Sequence, residues 1–290
     1  MRKTSLYIRR ITVSAVFLSI ALVLKTAFSF YIPLFGQNGA RIDVSGIFSA
    51  MPSILFGPVY GAMVSGLADL IGFFLKPTGA YLPQMTLIAA AGGFIRGALW
   101  LALRGGSGKH MRAGAAAVSI ILLLFGVCNF ILLNADGINA HFYDNVSVQN
   151  IDTSHMRLIS RMLIERTVTA QNPAASLSSY IVLMTTGLVG IAVFGIVLLL
   201  ADIVISKRFF RDTDNGKIIQ LLLAMMISGL IVTTLDTVLL RETIYTSWKV
   251  FPFVVVWLPR VITALLSNTI YAYFMALFMG IYKKSLEFRV

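Results

Sequence analysis

Apolar runs separated by short polar stretches make up most of the chain. The runs 11–30, 84–103, 113–133, 179–205, 217–240 and 258–282 are each predominantly apolar. About 20 such residues in helical form cross a hydrocarbon core of about 30 Å. Each run reads as a helix, because an open strand leaves its backbone polar groups unsatisfied in lipid.

The run from Ser45 to Leu75 does not fit one span. As a single helix its 31 residues would measure about 46 Å at 1.5 Å per residue. The dipeptide Gly57-Pro58 interrupts it, and proline disfavours helix through the residue before it. The distribution of Lys and Arg chooses between one span and two. With two spans, 45–57 and 58–75, the side that holds the N-terminus, 104–112, 206–217 and the C-terminus carries 14 basic residues and the opposite side 7. With one span the counts become 10 and 11. Only two spans give the bias that orients membrane proteins. The reading is therefore about eight spans with both termini cytoplasmic, and with 31–44, 76–83, 134–178 and 241–257 outside. Within 134–178, Met156, Ile159, Met162 and Leu163 recur at helical spacing between Arg157, Arg161 and Arg166. That pattern is open to two readings, an interfacial amphipathic helix or a solvated loop.

Composition agrees with the pattern. The chain has 290 residues, of which 58% are hydrophobic and 12% charged, and a mean hydropathy of +0.85. Soluble domains carry about 25% charged residues, so lipid is the solvent for most of this chain. A net charge of +12 raises the question of nucleic acid. The basic residues sit in short clusters between apolar runs, which is positive-inside patterning, and no nucleic-acid partner is expected. The single cysteine, Cys128, excludes an internal disulfide, and His110, His141 and His155 show no metal-ligand spacing. The apolar stretch after Arg2, Lys3, Arg9 and Arg10 resumes past Lys25 without a small-residue cleavage site, as in an uncleaved first span.

Ionisable residues inside spans are expensive and point to function. Lys25, Asp69, Asp236 and Arg260 lie toward the outer ends of spans, and Arg41 lies in the first outer loop. Charges at span ends can also simply snorkel to the interface. Arg96 lies deeper, and Asp202 adjoins the basic pair Lys207-Arg208, which offers it a structural partner. Small residues at four-residue spacing, as at Ala15 and Ser19, Gly57 and Gly61, Ala62 and Gly66, and Gly93 and Gly97, let helices approach closely.

Three blocks in the first third carry a resemblance: FGPVYGA (56–62), ADLIG (68–72) and PTGAYLPQMTL (77–87), echoed by LPRVI (258–262). In this order and spacing they resemble the substrate-binding S component of energy-coupling-factor (ECF) vitamin transporters, with the folate-type branch nearest. The resemblance covers the first four and last two spans, about 170 residues. It implies an all-α integral membrane fold with a six-helix core in the cell membrane of a bacterium. On this reading 1–104 and 213–290 form the core. The segment 105–212 adds two spans with the outer loop 134–178.

The resemblance also implies a function. The chain would bind a vitamin, folate-like by preference, as part of an ATP-driven transporter. Its partners would be a membrane scaffold subunit and two ATPase subunits, so the chain itself would be no enzyme and hold no cofactor. Candidate substrate contacts are Arg41 and Arg260, suited to bidentate carboxylate binding, with Lys25, Asp69, Tyr81 and Trp257. Phe73 is a further ring that could stack, and Gly79 suits a tight turn. Ala15 and Ser19 match the family's docking face. One departure concerns the substrate: the folate branch tends to carry Lys-Asn soon after the arginine of LPRVI, where Thr263 and Ala264 stand here. The alternatives are an S component for another vitamin or small solute, or a stand-alone secondary transporter. The two halves of the chain show none of the mutual similarity expected of a secondary transporter, and no cluster of catalytic groups suggests an enzyme.

Overall fold

The computed structural model describes residues 2–34, 37–77, 80–139, 141–142, 151–168, 173–209, 217–249 and 250–287. It describes side chains throughout these except at 2–3, 32, 34, 37–42, 205–209, 217, 250 and 280–287. The chain is an all-α integral membrane protein. In order come α1 (Arg2–Ala27), a hairpin of β1 (Ser29–Leu34) and β2 (Gln37–Asp43), α2 (Ser45–Leu55), α3 (Pro58–Leu75), α4 (Pro83–Leu103) and α5 (Gly108–Ala135). Then follow α6 (Leu158–Val168), α7 (Pro173–Val182), α8 (Leu188–Phe209), α9 (Lys217–Thr243) and α10 (Phe253–Glu287). Among the described residues, seven helical stretches are long and apolar enough to cross a membrane, with α7 and α8 joined into one. The eighth span of the sequence reading is α2, an apolar helix of 11 residues, about 16 Å long.

Contacts divide the chain into two compact units. One comprises Met1–Met111, Ile205–Thr246 and Pro259–Val290, the other Arg112–Val204 and Ser247–Leu258.

In the first unit, the break between α2 and α3 falls where Gly57-Pro58 places it. Gly57 has φ of 102°, a conformation L side chains rarely adopt, and Pro58 occupies the first turn of α3. Helix α3 packs along α4, and α4 along α9. The α3–α4 seam is backbone against backbone: a side chain on Gly93 would run into the carbonyl of Gly61, and one on Gly97 would lie 2.7 Å from Cα of Pro58. Van der Waals contact at this range replaces the hydrophobic drive that lipid cannot supply. Of the four-residue small spacings of the sequence, Gly93 and Gly97 on α4, with Gly61 on α3, thus mark a real seam.

The segment 31–44, read from the sequence as an outer loop, contains most of an antiparallel hairpin. Tyr31 pairs with Arg41, and the register shifts between Ile32 and Pro33. Phe30, Tyr31 and Ile32 favour strand, and Pro33 lacks the amide a regular ladder needs, so the shift falls beside it. This element escaped the sequence reading because its apolar run is shorter than a span and merges with that of α1.

In the second unit, Arg112 donates from Nε to Asp202 Oδ2 at 2.7 Å, with Asp202 fully buried. Arg112 is thus one partner of Asp202; the side chains of the neighbouring basic pair, Lys207 and Arg208, lie outside the described residues. The amide of Asn129 donates to the Met184 carbonyl at 3.2 Å, where a π-helical turn (Leu183–Gly187) joins α7 to α8.

Residues 151–168 form neither a bare loop nor a free amphipathic helix. Leu163 and Ile164 of α6 are buried in a core with Leu133, Ile138 and Leu177. The carboxylate of Asp136 accepts the Arg157 amide at 3.1 Å and the Ser160 hydroxyl at 2.5 Å, at the positive end of α6. Leu158 and Met162 face outward instead.

Candidate functional site

A cavity of about 420 Å³ lies wholly within the first unit. It is built by the C-terminal end of α1, β1, the link into α2, the C-terminal half of α3, Lys76 and residues 80–82, Met85 of α4, α9 with Ile244 and Tyr245, and the middle of α10. The helices contribute by period: Thr233, Asp236 and Leu240 of α9 are three and four residues apart, as are Arg260, Thr263, Ala264, Ser267 and Tyr271 of α10. One face of each helix therefore looks into the cavity.

One wall centres on Asp69. Its Oδ1 lies 3.6 Å from Nζ of Lys25, and its Oδ2 accepts the Thr86 hydroxyl at 2.9 Å. Lys25 also donates to the Ala68 carbonyl at 3.1 Å. The Tyr81 hydroxyl lies 3.1 Å from that of Thr86, which ties Tyr81 to α4 and, through Thr86, to α3. The ring of Tyr81 sits 5.1 Å from that of Phe73, centroid to centroid. Gly72 makes room for Lys25: a Cβ there would meet Nζ at 2.7 Å. Lys76 reaches the Ser29 hydroxyl at 3.2 Å and the Thr26 carbonyl at 3.4 Å, joining α3 to the start of the hairpin.

A second wall is buried more deeply. The Asp43 carboxylate accepts the Ser45 hydroxyl, and the Tyr271 hydroxyl donates to the Asp43 carbonyl. The Tyr271 ring lies against Gly46, where any side chain would collide with it. On the third wall, Arg260 is within electrostatic reach of Asp236 and Tyr245. Burial raises the Tyr245 hydroxyl above the ordinary phenol range, against the opposing pull of Arg260. It therefore stays protonated and able to donate at neutral pH.

Four of the residues singled out from sequence, Lys25, Asp69, Tyr81 and Arg260, line this cavity together, with Phe73 and Asp236 beside them. Arg41 lies opposite Tyr31 in the hairpin register, but its side chain is outside the described residues, as is Gly79 altogether. Trp257 is not among the described lining residues. It belongs to the second unit, where its ring stacks on Phe253 at 6.3 Å. The sequence reading missed Asp43, Lys76, Tyr245 and Tyr271. For Tyr271 a usable signal existed, since it lies three helical turns beyond Arg260 on the same face.

Comparison with known proteins bears on what occupies such a cavity. The family model described as "ECF transporter, substrate-specific component" matches residues 9–201. The Folate transporter FolT of Clostridium novyi (strain NT) is 39% identical over 57 residues, which is 20% of this chain and 33% of that protein. The match thus spans about a third of the curated relative. No solved structure matches the chain.

Proposed function

The chain belongs to the family of ECF-transporter substrate-specific components, and from that membership we propose that it is the high-affinity binding subunit for a folate-like vitamin. Members of this family are substrate-binding subunits of transporters rather than enzymes, and in this reading the chain's role is in vitamin uptake. The observation that carries the finer reading is the origin of the cavity lining. Asp69, Gly72, Ala80, Tyr81, Leu82 and Met85 all come from the blocks that resemble the folate-type branch. The local identity to a folate transporter supports the same choice. The volume falls in the range of about 300–1,000 Å³ usual for small-molecule sites.

In this reading Phe73 and Tyr81 offer faces for a ring system. Arg260, with Arg41, holds a carboxylate in bidentate fashion. Lys25 and Asp69 meet the polar edge of the ligand. Both termini are cytoplasmic in a bacterial cell membrane, as the basic asymmetry argues. The ligand arrives from outside through 31–44, 76–83 and 241–257.

ATP hydrolysis belongs to two partner subunits, coupled through a membrane scaffold subunit. Ala15 and Ser19 form the docking patch on α1, and both are exposed. The Ser19 hydroxyl returns to the Ala15 carbonyl at 2.9 Å, so this face carries no unmet donor into an apolar contact. Residues 1–104 and 213–290 act as the binding core and 105–212 as an inserted two-span segment; the contact units divide the chain near these bounds but count Ser247–Leu258 with the second unit.

Reconstitution into liposomes tests the whole reading. With scaffold and ATPase subunits present, labelled folate should accumulate only when ATP is supplied. Accumulation by this chain alone under a proton or sodium gradient would make it a secondary transporter instead.

A further inference from the structure

We propose that the cavity offers charge pairing to no more than one ligand carboxylate, so that adding a second carboxylate to a ring-bearing ligand brings no gain in affinity. The inference deepens the folate-like reading and rests on it for the choice of probes.

The argument starts from the charges of the wall. Among the described lining residues, three cations, Lys25, Lys76 and Arg260, stand with three carboxylates, Asp43, Asp69 and Asp236. Their formal charges cancel. The hairpin and the 76–82 turn also contain side chains that are not described, and the one ionisable residue among these is Arg41. Counting it would raise the sum to +1 and no further.

The cations are also engaged. Lys25 pairs with Asp69 and donates to the Ala68 carbonyl. Arg260 feels Asp236. Lys76 donates to the Ser29 hydroxyl and the Thr26 carbonyl. Lys76 has neutral acceptors and can take one incoming carboxylate; at Lys25 or Arg260 a carboxylate must share the cation with an aspartate already present. Sharing returns less Coulomb energy than a fresh pair while the ligand still loses its hydration. One such group can be accommodated; a second meets no surplus of positive charge.

The same wall favours hydrogen-bond donors. Asp43, only 7% exposed, lines the cavity together with Asp69 and Asp236. A ring edge bearing N–H or NH2 groups finds acceptors there that an anion does not. The preferred ligand is therefore a donor-edged heterocycle of which at most one carboxylate is held by the wall.

Native mass spectrometry of the full detergent-purified chain, soaked with equimolar riboflavin, pteroate and folate, sets the scale from uncharged through one carboxylate to two. Titrations of the retained compounds follow. Pteroate should bind as tightly as folate or more tightly. Asp236→Asn and Asp43→Asn, which each remove one negative charge, should shift the preference toward folate by about tenfold. An effect of ligand size would leave that ratio unmoved and overturn the proposal. Folate held about tenfold or more tightly than pteroate in the unaltered chain would also overturn it, with the folate-like reading intact. Retention of riboflavin alone would uphold the charge limit and remove the folate-like reading. A spectrum with nothing retained would contradict both.

Discussion

The ammonium of Lys25 lies 3.6 Å from the carboxylate of Asp69, across 43 residues of sequence and between two helices, with side chains 13% and 31% exposed. It joins the end of α1 to the block ADLIG and helps form the cavity wall. In such a position, removing one partner strands the other. Lys25→Met and Asp69→Asn should each lower thermal stability in detergent by about 1–3 kcal/mol, and the double variant should recover part of the loss. Strict additivity in that cycle would mean the two side chains do not interact.

Gly72 gives Lys25 its place, since a Cβ there would meet Nζ at 2.7 Å. Gly72→Val should displace the lysine and weaken ligand binding by about tenfold, roughly 1.4 kcal/mol. Combining it with Lys25→Ala should add little further loss. Equal, independent losses in a binding titration would place the effect of Gly72 elsewhere.

Arg260 opens the lining face of α10 and has its Nε buried. Arg260→Ala should weaken binding of a carboxylate-bearing ligand by about 1.5–3 kcal/mol. Arg260→Lys should not restore it, because an ammonium lacks the planar fork. Unchanged affinity in either variant would remove Arg260 from ligand recognition.

The positions Ala15 and Ser19 test docking separately from binding. Ala15→Trp with Ser19→Trp should abolish co-purification with the scaffold subunit while ligand affinity stays the same. A parallel fall in affinity would show that this face of α1 serves the cavity instead.

The folded segment after α5 has its own pH signature. The Ser160 hydroxyl, then the Arg157 amide and guanidinium, hold the Asp136 carboxyl below its ordinary value of 3.8, against a smaller opposing effect of burial. A depressed folded pKa means the stabilisation is complete above the unfolded value and fades as pH falls through the folded one. Hydrogen exchange of α6 should therefore be insensitive to pH near neutrality, after correction for intrinsic rates, and α6 should loosen only below about pH 4. Ser160→Ala should flatten that loosening.

Much of this architecture was legible because the membrane enforces it. Spans need length, so every long apolar run became a helix, and Gly57-Pro58 together with the basic asymmetry separated α2 from α3. The hairpin after α1 was not legible, since short strands at a membrane surface carry no length rule. The packed core around Leu163 and Ile164 also escaped, because its apolar residues are spread over α5, α6 and α7. At the cavity, Lys25, Asp69 and Arg260 were legible because an ionisable group inside a span is costly and so stands out. Tyr245 and Tyr271 stayed hidden because a tyrosine in a span is inexpensive and common at interfaces.

The most direct test of the binding-subunit account is a calorimetric titration of the purified chain with folic acid, with no nucleotide and no partner subunit present. The account predicts saturable one-to-one binding that weakens in Asp69→Asn and Arg260→Ala. The absence of a binding isotherm, or one left unchanged by both substitutions, would contradict it.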